Sequence, residues 1–435
     1  MLSKEKILEV LIDWNYWDKE FKEIINRPKY DFLLEEHRKS NKPIFLVGMR
    51  RVGKTFCLLN EMNNLNLNNK KQILYVNFED NRFEGNLNAE LLDQIIETYR
   101  LYINNNEEIF LFLDEIQNIK GWEKWVRTNY DLKKINKMYI TGSSAKLLSK
   151  EIATAISGRY LKIKVFPLSF KEFLIFNGII LEDEITLISN KNKYLERFIE
   201  YLQVGGFPEI VMEKDNFLRK QILESYFDTL IYKDIVARYN LKDSSKIKKI
   251  LKFLLSNDTK KSNINSIAKA TGMSYNTVEE YISFFKEIFL ISEIFEYNYS
   301  LKKQYKKDIK YYCNDLSFVN SYSFNFSENK GRVLENVVLN QILREGNEVY
   351  YFSDGSNECD FVIQSKKTPK KVIQVCYDLN EDNKERELQG LIVALNEFNL
   401  KEGLLLTFDE EDEFEHQGKK IIIKPVWKWL LKNEL

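Results

Sequence analysis

The sequence predicts an α/β protein of several domains, and three observations carry that expectation. Short apolar runs alternate with segments of helical spacing from Pro43 to Val165, which implies a parallel sheet covered on both faces. After Pro167 the pattern turns mainly helical. From Gly331 a second alternation of strands and helices begins. A chain of 435 residues has room for several domains, each with its own core. The expected division is residues 1–170, a sheet domain with a helical lead-in; 171–243, helical; 244–325, a helix-turn-helix with a β wing; and 326–435, a second α/β domain.

The lead-in carries Trp14, Trp17, Phe21, Ile24 and Ile25 among charged residues at roughly helical spacing, which reads as one or two helices. Pro43 to Val47 is a strand ending at Gly48, and Phe56, Leu58, Leu59 and Met62 recur as one face of a helix. Further strands are expected at Ile73 to Phe78, Ile109 to Leu113, Met138 to Thr141 and Leu161 to Val165, with a helix from Leu87 to Tyr102. Two glycines and a proline in Val204 to Pro208 forbid a continuous helix there. Ser245 to Leu255, Ile264 to Thr271 and Ser274 to Phe289 read as three helices, followed by a strand from Ile291 to Tyr299. The last region reads as helix Val333 to Arg344, strands Glu348 to Phe352, Cys359 to Ile363 and Val372 to Cys376, helix Arg386 to Phe398, and strands Gly403 to Thr407 and Lys420 to Ile423.

Composition removes whole classes of chemistry. The 65 basic and 65 acidic residues cancel, so no net field marks a polyanion partner, although local basic patches remain open. Four cysteines (Cys57, Cys313, Cys359, Cys376) form no CxxC pair, and the histidines, His37 and His416, lie far apart. A zinc site, a Cys/His nucleophile and a disulfide framework are all disfavoured. No apolar run is long enough to span a bilayer, and the N-terminus lacks a signal-peptide pattern. The expectation is a cytoplasmic protein with no membrane partner, working through carboxylates, lysine, arginine, hydroxyls and backbone.

Gly48-Met49-Arg50-Arg51-Val52-Gly53-Lys54-Thr55 matches GxxxxGK(S/T) in full, between a strand and a helix. Such a loop lets successive backbone N–H groups curl around phosphates at a helix N-terminus. Lys54 would reach the β and γ phosphates, and Thr55 would hold Mg²⁺. Arg50, Arg51, Val52 and Phe56 complete the expected ATP-binding set, with Arg50 and Arg51 either facing the nucleotide or packing outward. The strand Ile109 to Leu113 delivers Asp114 and Glu115 at the end that faces ligands in a parallel sheet. Asp114 is expected on the Mg²⁺ side, and Glu115 is expected to polarise the attacking water. Thr141 and Ser143 close the next strand where a γ-phosphate sensor would sit. Arg159 precedes the fifth strand and would act on its own or a neighbour's site, or serve only the surface. No guanine-reading NKxD motif is present in the expected place, so adenine is preferred.

These stretches, with LDEIQNIKGWEKWVR (113–127), TGSSAKLL (141–148), SGRY, FPLSFKEFL (166–174), VGGFPEIV (204–211) and YFDTLIYKDIVARYN (226–240), resemble the prokaryotic AAA-type P-loop ATPases fused to a C-terminal domain of unknown function. The resemblance covers nearly the whole chain. It implies Walker residues at Lys54 and Thr55, Walker B acids at Asp114 and Glu115, a sensor at or near Ser143 and an arginine finger at Arg159.

Two features bear on what such an ATPase would act on. The winged-helix-like segment carries Ser274, Tyr275, Asn276 and Thr277 at the start of its second helix, all groove-compatible, but Glu279 and Glu280 follow and would oppose phosphate. Lys302, Lys303, Lys306, Lys307 and Lys310, interleaved with Tyr305, Tyr311 and Tyr312, form a basic cluster that favours nucleic acid or is merely a solvated face. The last domain resembles the restriction-endonuclease-like PD-(D/E)xK nucleases in its order of parts: Glu335 on a helix, Asp360 on a strand, then a third strand. By that resemblance the metal carboxylate and lysine of (D/E)xK would fall on Gln374 and Cys376, neither of which supplies the required group. Glu358 and Asp378 are the nearby carboxylates that would have to compensate. The expectation is a catalytically degenerate domain with a binding or assembly role. Two functions stay open: a Mg²⁺-dependent ATPase acting on DNA, or an ATP-dependent protein-sensing, signalling or defence switch. Nothing in the sequence fixes an oligomeric state.

Overall fold

The structure, a computed structural model, describes residues 2–20, 24–105, 108–148, 154, 156, 158–180, 184–322, 330–365 and 368–432. It divides into two compact units: Met1–Val165 with Glu287–Phe289, and Phe166–Lys286 with Leu290–Leu435. The expected helical, winged-helix-like and C-terminal regions thus fall in one unit, save residues 287–289. The expected border between 325 and 326 lies outside the described residues.

In the first unit, helices α1 (Lys4–Trp14) and α2 (Pro28–Arg38) precede a sheet of five strands. These are β1 (Ile44–Val47), β2 (Ile73–Asn77), β3 (Phe110–Asp114), β4 (Lys137–Gly142) and β5 (Leu161–Lys164). They lie in the order β2-β3-β4-β1-β5 and every pairing is parallel. Helix α3 (Lys54–Asn64) follows β1, α4 (Ala89–Tyr102) follows β2 and α5 (Trp122–Asp131) follows β3. All four residues of β1 are buried, as expected of a strand covered on both faces. Register decides what meets at the ligand end: Val47 stands opposite Gly142, and Asn77 opposite Asp114. The loop after β1 and the acids ending β3 therefore leave the sheet at the same edge.

The lead-in has a specific task. β2 is an edge strand, with backbone groups open to unwanted pairing. The Asn15 amide donates to the Tyr75 carbonyl (3.0 Å) and accepts from the Tyr75 N–H (2.8 Å), and the Trp17 indole donates to the Ile73 carbonyl (2.7 Å). Side chains of the lead-in thus occupy the edge that a sixth strand would take.

The second unit begins with helices Phe170–Phe176, Glu184–Ser189, Lys191–Val204, Pro208–Met212 and Asn216–Thr229, the last continuing into a π-helical stretch, Leu230–Ala237. The break at VGGFP is enforced by packing. A Cβ on Gly205 would lie 2.4 Å from Asp315 Oδ1, and one on Gly206 2.5 Å from the Leu168 carbonyl oxygen. Next come helix Ser244–Ser256, β6 (Lys261–Ser262), helices Ile264–Thr271 and Tyr275–Glu287, β7 (Ile291–Phe295), a helical turn Leu301–Gln304 and β8 (Ile309–Cys313). Gly272, at φ 72°, caps the first of the paired helices and turns the chain into the second. The strands form an antiparallel sheet, β6-β8-β7.

β6 and β8 have no counterpart in the sequence reading. β8 hides because its apolar and charged residues do not alternate: Lys310, Tyr311 and Tyr312 are all buried. This corrects the basic cluster. Lys310 does not belong to a solvated face, whereas Lys302, Lys303, Lys306 and Lys307 are exposed.

The chain closes with helices Leu316–Tyr322 and Lys330–Arg344 and six strands, β9 (Glu348–Ser353), β10 (Glu358–Ser365), β11 (Thr368–Val375), β12 (Glu402–Thr407), β13 (Asp412–His416) and β14 (Lys419–Pro425). Their order is β13-β14-β12-β11-β10-β9. β9, β10 and β11 run antiparallel, while β11-β12-β14 are parallel, with helix Lys384–Glu397 between β11 and β12 and the antiparallel β13 between β12 and β14. A final helix, Val426–Lys432, buries Trp427 in a core shared with Leu168, Phe170 and Phe198.

Candidate nucleotide-binding site

The loop after β1 has the geometry its sequence anticipates. Gly48 must be glycine, because a Cβ there would lie 2.1 Å from the Val165 carbonyl oxygen. Arg51 and Gly53 both take left-handed backbone conformations, at φ 69° and 93°. Glycine adopts this without cost and arginine does not, so a residue bearing Cβ is strained at the tip of the loop. The loop is held from behind by the buried Arg27, whose guanidinium donates to the Val52 carbonyl (2.8 Å). Helix α3 starts at Lys54, so its unpaired N–H groups and positive dipole end point into the loop.

Lys54 is buried, with its ammonium bonded to the Gly48 and Met49 carbonyls (3.1 and 3.0 Å) and 3.5 Å from Glu115 Oε1. The Thr55 hydroxyl donates to Asp114 Oδ2 (2.8 Å), as does the Tyr75 hydroxyl (2.8 Å), and the Thr141 hydroxyl donates to Asp114 Oδ1. Thr141 also accepts from the Glu115 N–H (2.9 Å). Glu115 sits at φ 55°, in the left-handed region. Gln117 donates to Glu115 Oε2 and to Ser143 Oγ (3.2 Å), so the expected base and the expected sensor share one amide.

Electrostatics divides the labour of the two acids. Burial and the neighbouring Glu115 charge push the Asp114 carboxyl up, against three hydroxyl donors that pull it down. Glu115 is also penalised by burial, yet Lys54 and Arg50, with the Gln117 and Ser143 side chains, hold it below its usual value. Glu115 is therefore a carboxylate at neutral pH, as a water-polarising group must be. Asp114 beside Thr55 Oγ is a carboxylate and hydroxyl pair suited to a hard divalent cation, and a cation there would offset the burial cost of its charge.

The remaining expected residues are placed as follows. Val52 is buried within the loop and Ser143 is buried at the end of β4. Arg50 is turned to Glu79 (2.7 Å). Phe56 is 60% exposed on α3. Arg159 is not brought to the loop. It precedes β5, whose first residue, Leu161, pairs with Ile44 at the start of β1. That is the far end of the strands from Gly48, and there Arg159 grips both Asp131 oxygens at 2.7 Å. This geometry corrects the expectation of Arg159 acting within its own site. Arg27, Tyr75 and Gln117 went unread in the sequence. Only Gln117, two residues beyond Glu115, carried a signal, since a polar side chain in that turn reaches back to the acid.

The parts expected of a nuclease lie in the second unit. Gln374 is buried, with its amide oxygen accepting from the Asp360 N–H (3.2 Å) and its nitrogen donating to Glu387 (2.7 Å). Cys376 is buried, and Asp378 is exposed. Among the described residues, no group of three or more His, Cys, Asp or Glu side chains could hold a metal ion, and no helix is long and apolar enough to cross a membrane.

Residues 40–174 match an AAA domain, and residues 195–329 and 330–429 match two domains of unknown function. An uncharacterised protein of Methanocaldococcus jannaschii is 35% identical over 451 aligned positions, covering 99% of this chain and 96% of its own. An uncharacterised protein of Haemophilus influenzae is 29% identical, covering 94% of this chain and all of its own. Among solved structures, a Walker-type ATPase of Pyrococcus abyssi aligns over 68% of this chain and 96% of its own, at 14% identity and a TM-score of 0.46.

Proposed function

The chain belongs to one family with the Methanocaldococcus jannaschii protein and carries an AAA-type P-loop domain; from that premise we propose that it is a Mg²⁺-dependent ATPase. The observation that carries this reading is the Lys54, Thr55, Asp114, Glu115 and Ser143 constellation at one edge of the parallel sheet, with Gln117 holding the last two together. The loop N–H groups and Lys54 bind and orient the phosphates of ATP. Thr55 and Asp114 would hold Mg²⁺, which would supply positive charge against those oxygens. Glu115, kept ionised by Lys54 and Arg50, orients a water toward the γ-phosphate. Catalysis here is positioning and electrostatics, with little covalent work for the protein to do. Arg159, clamped to Asp131, has no part in the site of its own chain.

The output is proposed to be DNA. Support comes from the order helix, short strand, helix, helix, hairpin between Ser244 and Cys313, which is that of a winged helix. Ser274, Tyr275 and Asn276 are exposed at the start of its second paired helix, and the loop between β7 and β8 presents Tyr299 and Tyr305 (75% and 69% exposed) among exposed lysines. Aromatic faces alternating with ammonium groups suit a nucleic-acid surface. A second reading, a protein-sensing switch with the C-terminal domain as scaffold, is favoured by two findings: exposed Glu279 and Glu280 on the same helix, and Lys310 withdrawn from the basic face.

One experiment separates them. ATP turnover with Mg²⁺ is measured with and without single- and double-stranded DNA, using Lys54→Ala as the blank. Stimulation of several-fold that vanishes at high salt supports DNA, because phosphate contacts weaken steeply with salt. Turnover indifferent to DNA supports the protein-sensing switch, and no turnover above the blank overturns the ATPase reading itself.

A further inference from the structure

The second unit buries an ammonium that the proposed ATP chemistry never uses. Lys310 on β8 is 3% exposed, and its Nζ lies 2.9 Å from Glu335 Oε1, 2.6 Å from Glu358 Oε1 and 3.3 Å from Asp360 Oδ1. Glu358 and Asp360 are two residues apart on β10, so they share a face of the sheet, and Glu335 meets them from helix Lys330–Arg344. An ammonium has three N–H donors and no acceptor. Two of the donors are used on Glu335 and Asp360, with Glu358 as an ion-pair partner, while burial and the neighbouring Glu335 push the Asp360 carboxyl up to about 8.

The surrounding groups complete the arrangement. The Tyr312 hydroxyl donates to Glu335 Oε1 (2.6 Å), the Val375 N–H to Asp360 Oδ2 (3.0 Å), and Lys261 pairs with Glu358 Oε2. Burial opposes charge on Lys310, but Glu335 and its neighbours hold the lysine well above its usual value. Burial likewise opposes charge on Glu358, which Lys310 and Lys261 keep low.

Glu335 and Asp360 are the two residues that, by the nuclease resemblance, would hold a divalent metal. The residues present do not fit one. The Lys310 ammonium already fills the space between these acids, and among the described residues no group of three or more His, Cys, Asp or Glu side chains could hold a metal ion. Gln374 is committed to Asp360 and Glu387, leaving no fourth donor to turn inward.

We propose that the Lys310 ammonium is the resident cation of the Glu335–Glu358–Asp360 cluster, standing where a divalent metal would otherwise be held, so that this region is complete without metal. Through Lys310 the β7–β8 hairpin is fastened to the C-terminal sheet, and the cluster has no open coordination position for hydrolysis.

The test uses the full chain without nucleotide, so its outcome is independent of the ATPase reading. Thermal midpoints are measured with and without millimolar Mn²⁺ for the Lys54→Ala protein, which serves as the reference, and for the same protein carrying Lys310→Met, Lys310→Met with Glu335→Gln, or Asp360→Asn. Mn²⁺ is expected to cause no rise in the reference midpoint that Asp360→Asn removes, since any binding at Thr55 and Asp114 is common to both proteins. Lys310→Met is expected to lower it by several degrees, because carboxylates are left buried without their cation, and adding Glu335→Gln is expected to recover part of the loss. A Lys310→Met midpoint equal to the reference overturns the proposal. So does a Mn²⁺-induced rise in the reference that Asp360→Asn removes, since metal would then be displacing the lysine. Should Lys310→Met not fold alone, the Mn²⁺ response of the reference and the recovery by Glu335→Gln still decide.

Discussion

At the scale of single residues, the most informative contact in the first unit is the amide of Gln117. It bonds the Glu115 carboxylate and the Ser143 hydroxyl together, so it fixes where Glu115 points. Gln117→Ala is expected to lower kcat for ATP about tenfold or more while leaving KM nearly unchanged, and an equal fall in binding would show a merely structural role. Glu115→Gln keeps shape but loses charge. It is expected to bind ATP and lose roughly a hundredfold or more of turnover, read by nucleotide retention beside phosphate release. Gly48→Ala sets a Cβ against the Val165 carbonyl and is expected to abolish nucleotide binding, checked by a fluorescent ATP analogue. Lys54, Thr55, Asp114 and Glu115 were all legible in the sequence because fixed spacing and strand ends carry them. Arg27 and Tyr75 were not, because a residue that reaches a site across the fold leaves no local pattern. Arg159 was only partly legible: its sequence neighbourhood left its own site, a neighbour's site or the surface open, and the direction of β5 removes the first of these.

At the scale of elements, strands buried on both faces announced themselves, and β1 to β5 fall within a residue or so of where their apolar runs lie. β8 did not, because its buried face is polar. Lys310 is neutralised by carboxylates, and Cys313 donates its N–H to a buried acid, Asp258 (2.7 Å), which also accepts from the Asn336 amide (2.8 Å). Burial pushes Asp258 up to about 7, against those two donors. Its folded value therefore exceeds its unfolded one. The stability it contributes is full below the unfolded value near 3.8, falls as pH rises, and is gone once pH passes about 7. Asp258→Asn removes this titration. The midpoint of the wild type minus that of Asp258→Asn is expected to decrease from pH 5 to about pH 7 and to level off above it. A difference that stays flat across that range would show that Asp258 is already ionised in the fold.

At the scale of the whole molecule, the question is where the second unit can be cut. The sequence suggested a border near residue 325, where a helical region gives way to a second alternation of strands and helices. The core runs straight across that border. Phe170, Tyr194 and Phe198 belong to the same buried cluster as Val338, Trp427 and Leu430. Tyr194 stacks on Trp427 with planes 4° apart, and Phe198 on Phe408 at a centroid distance of 5.9 Å. The buried Arg344 donates to the Pro167 carbonyl (2.9 Å) and pairs with Glu172 (3.3 Å). Removing residues 166–329 would strip apolar cover from Trp427 and leave Arg344 without these two partners. Both losses are of the kind that costs a fold several kcal/mol. Local sequence texture reports the period of each element but not which distant element covers it, so a border at 329/330, where the two matched domains of unknown function meet, is compatible with a core shared across it. A fragment of residues 330–435 is accordingly expected to be insoluble or to show no cooperative thermal transition by circular dichroism. Residues 166–435 are expected to melt in one transition. A soluble 330–435 fragment with the same midpoint would place the border where the sequence texture changes and make the shared core incidental.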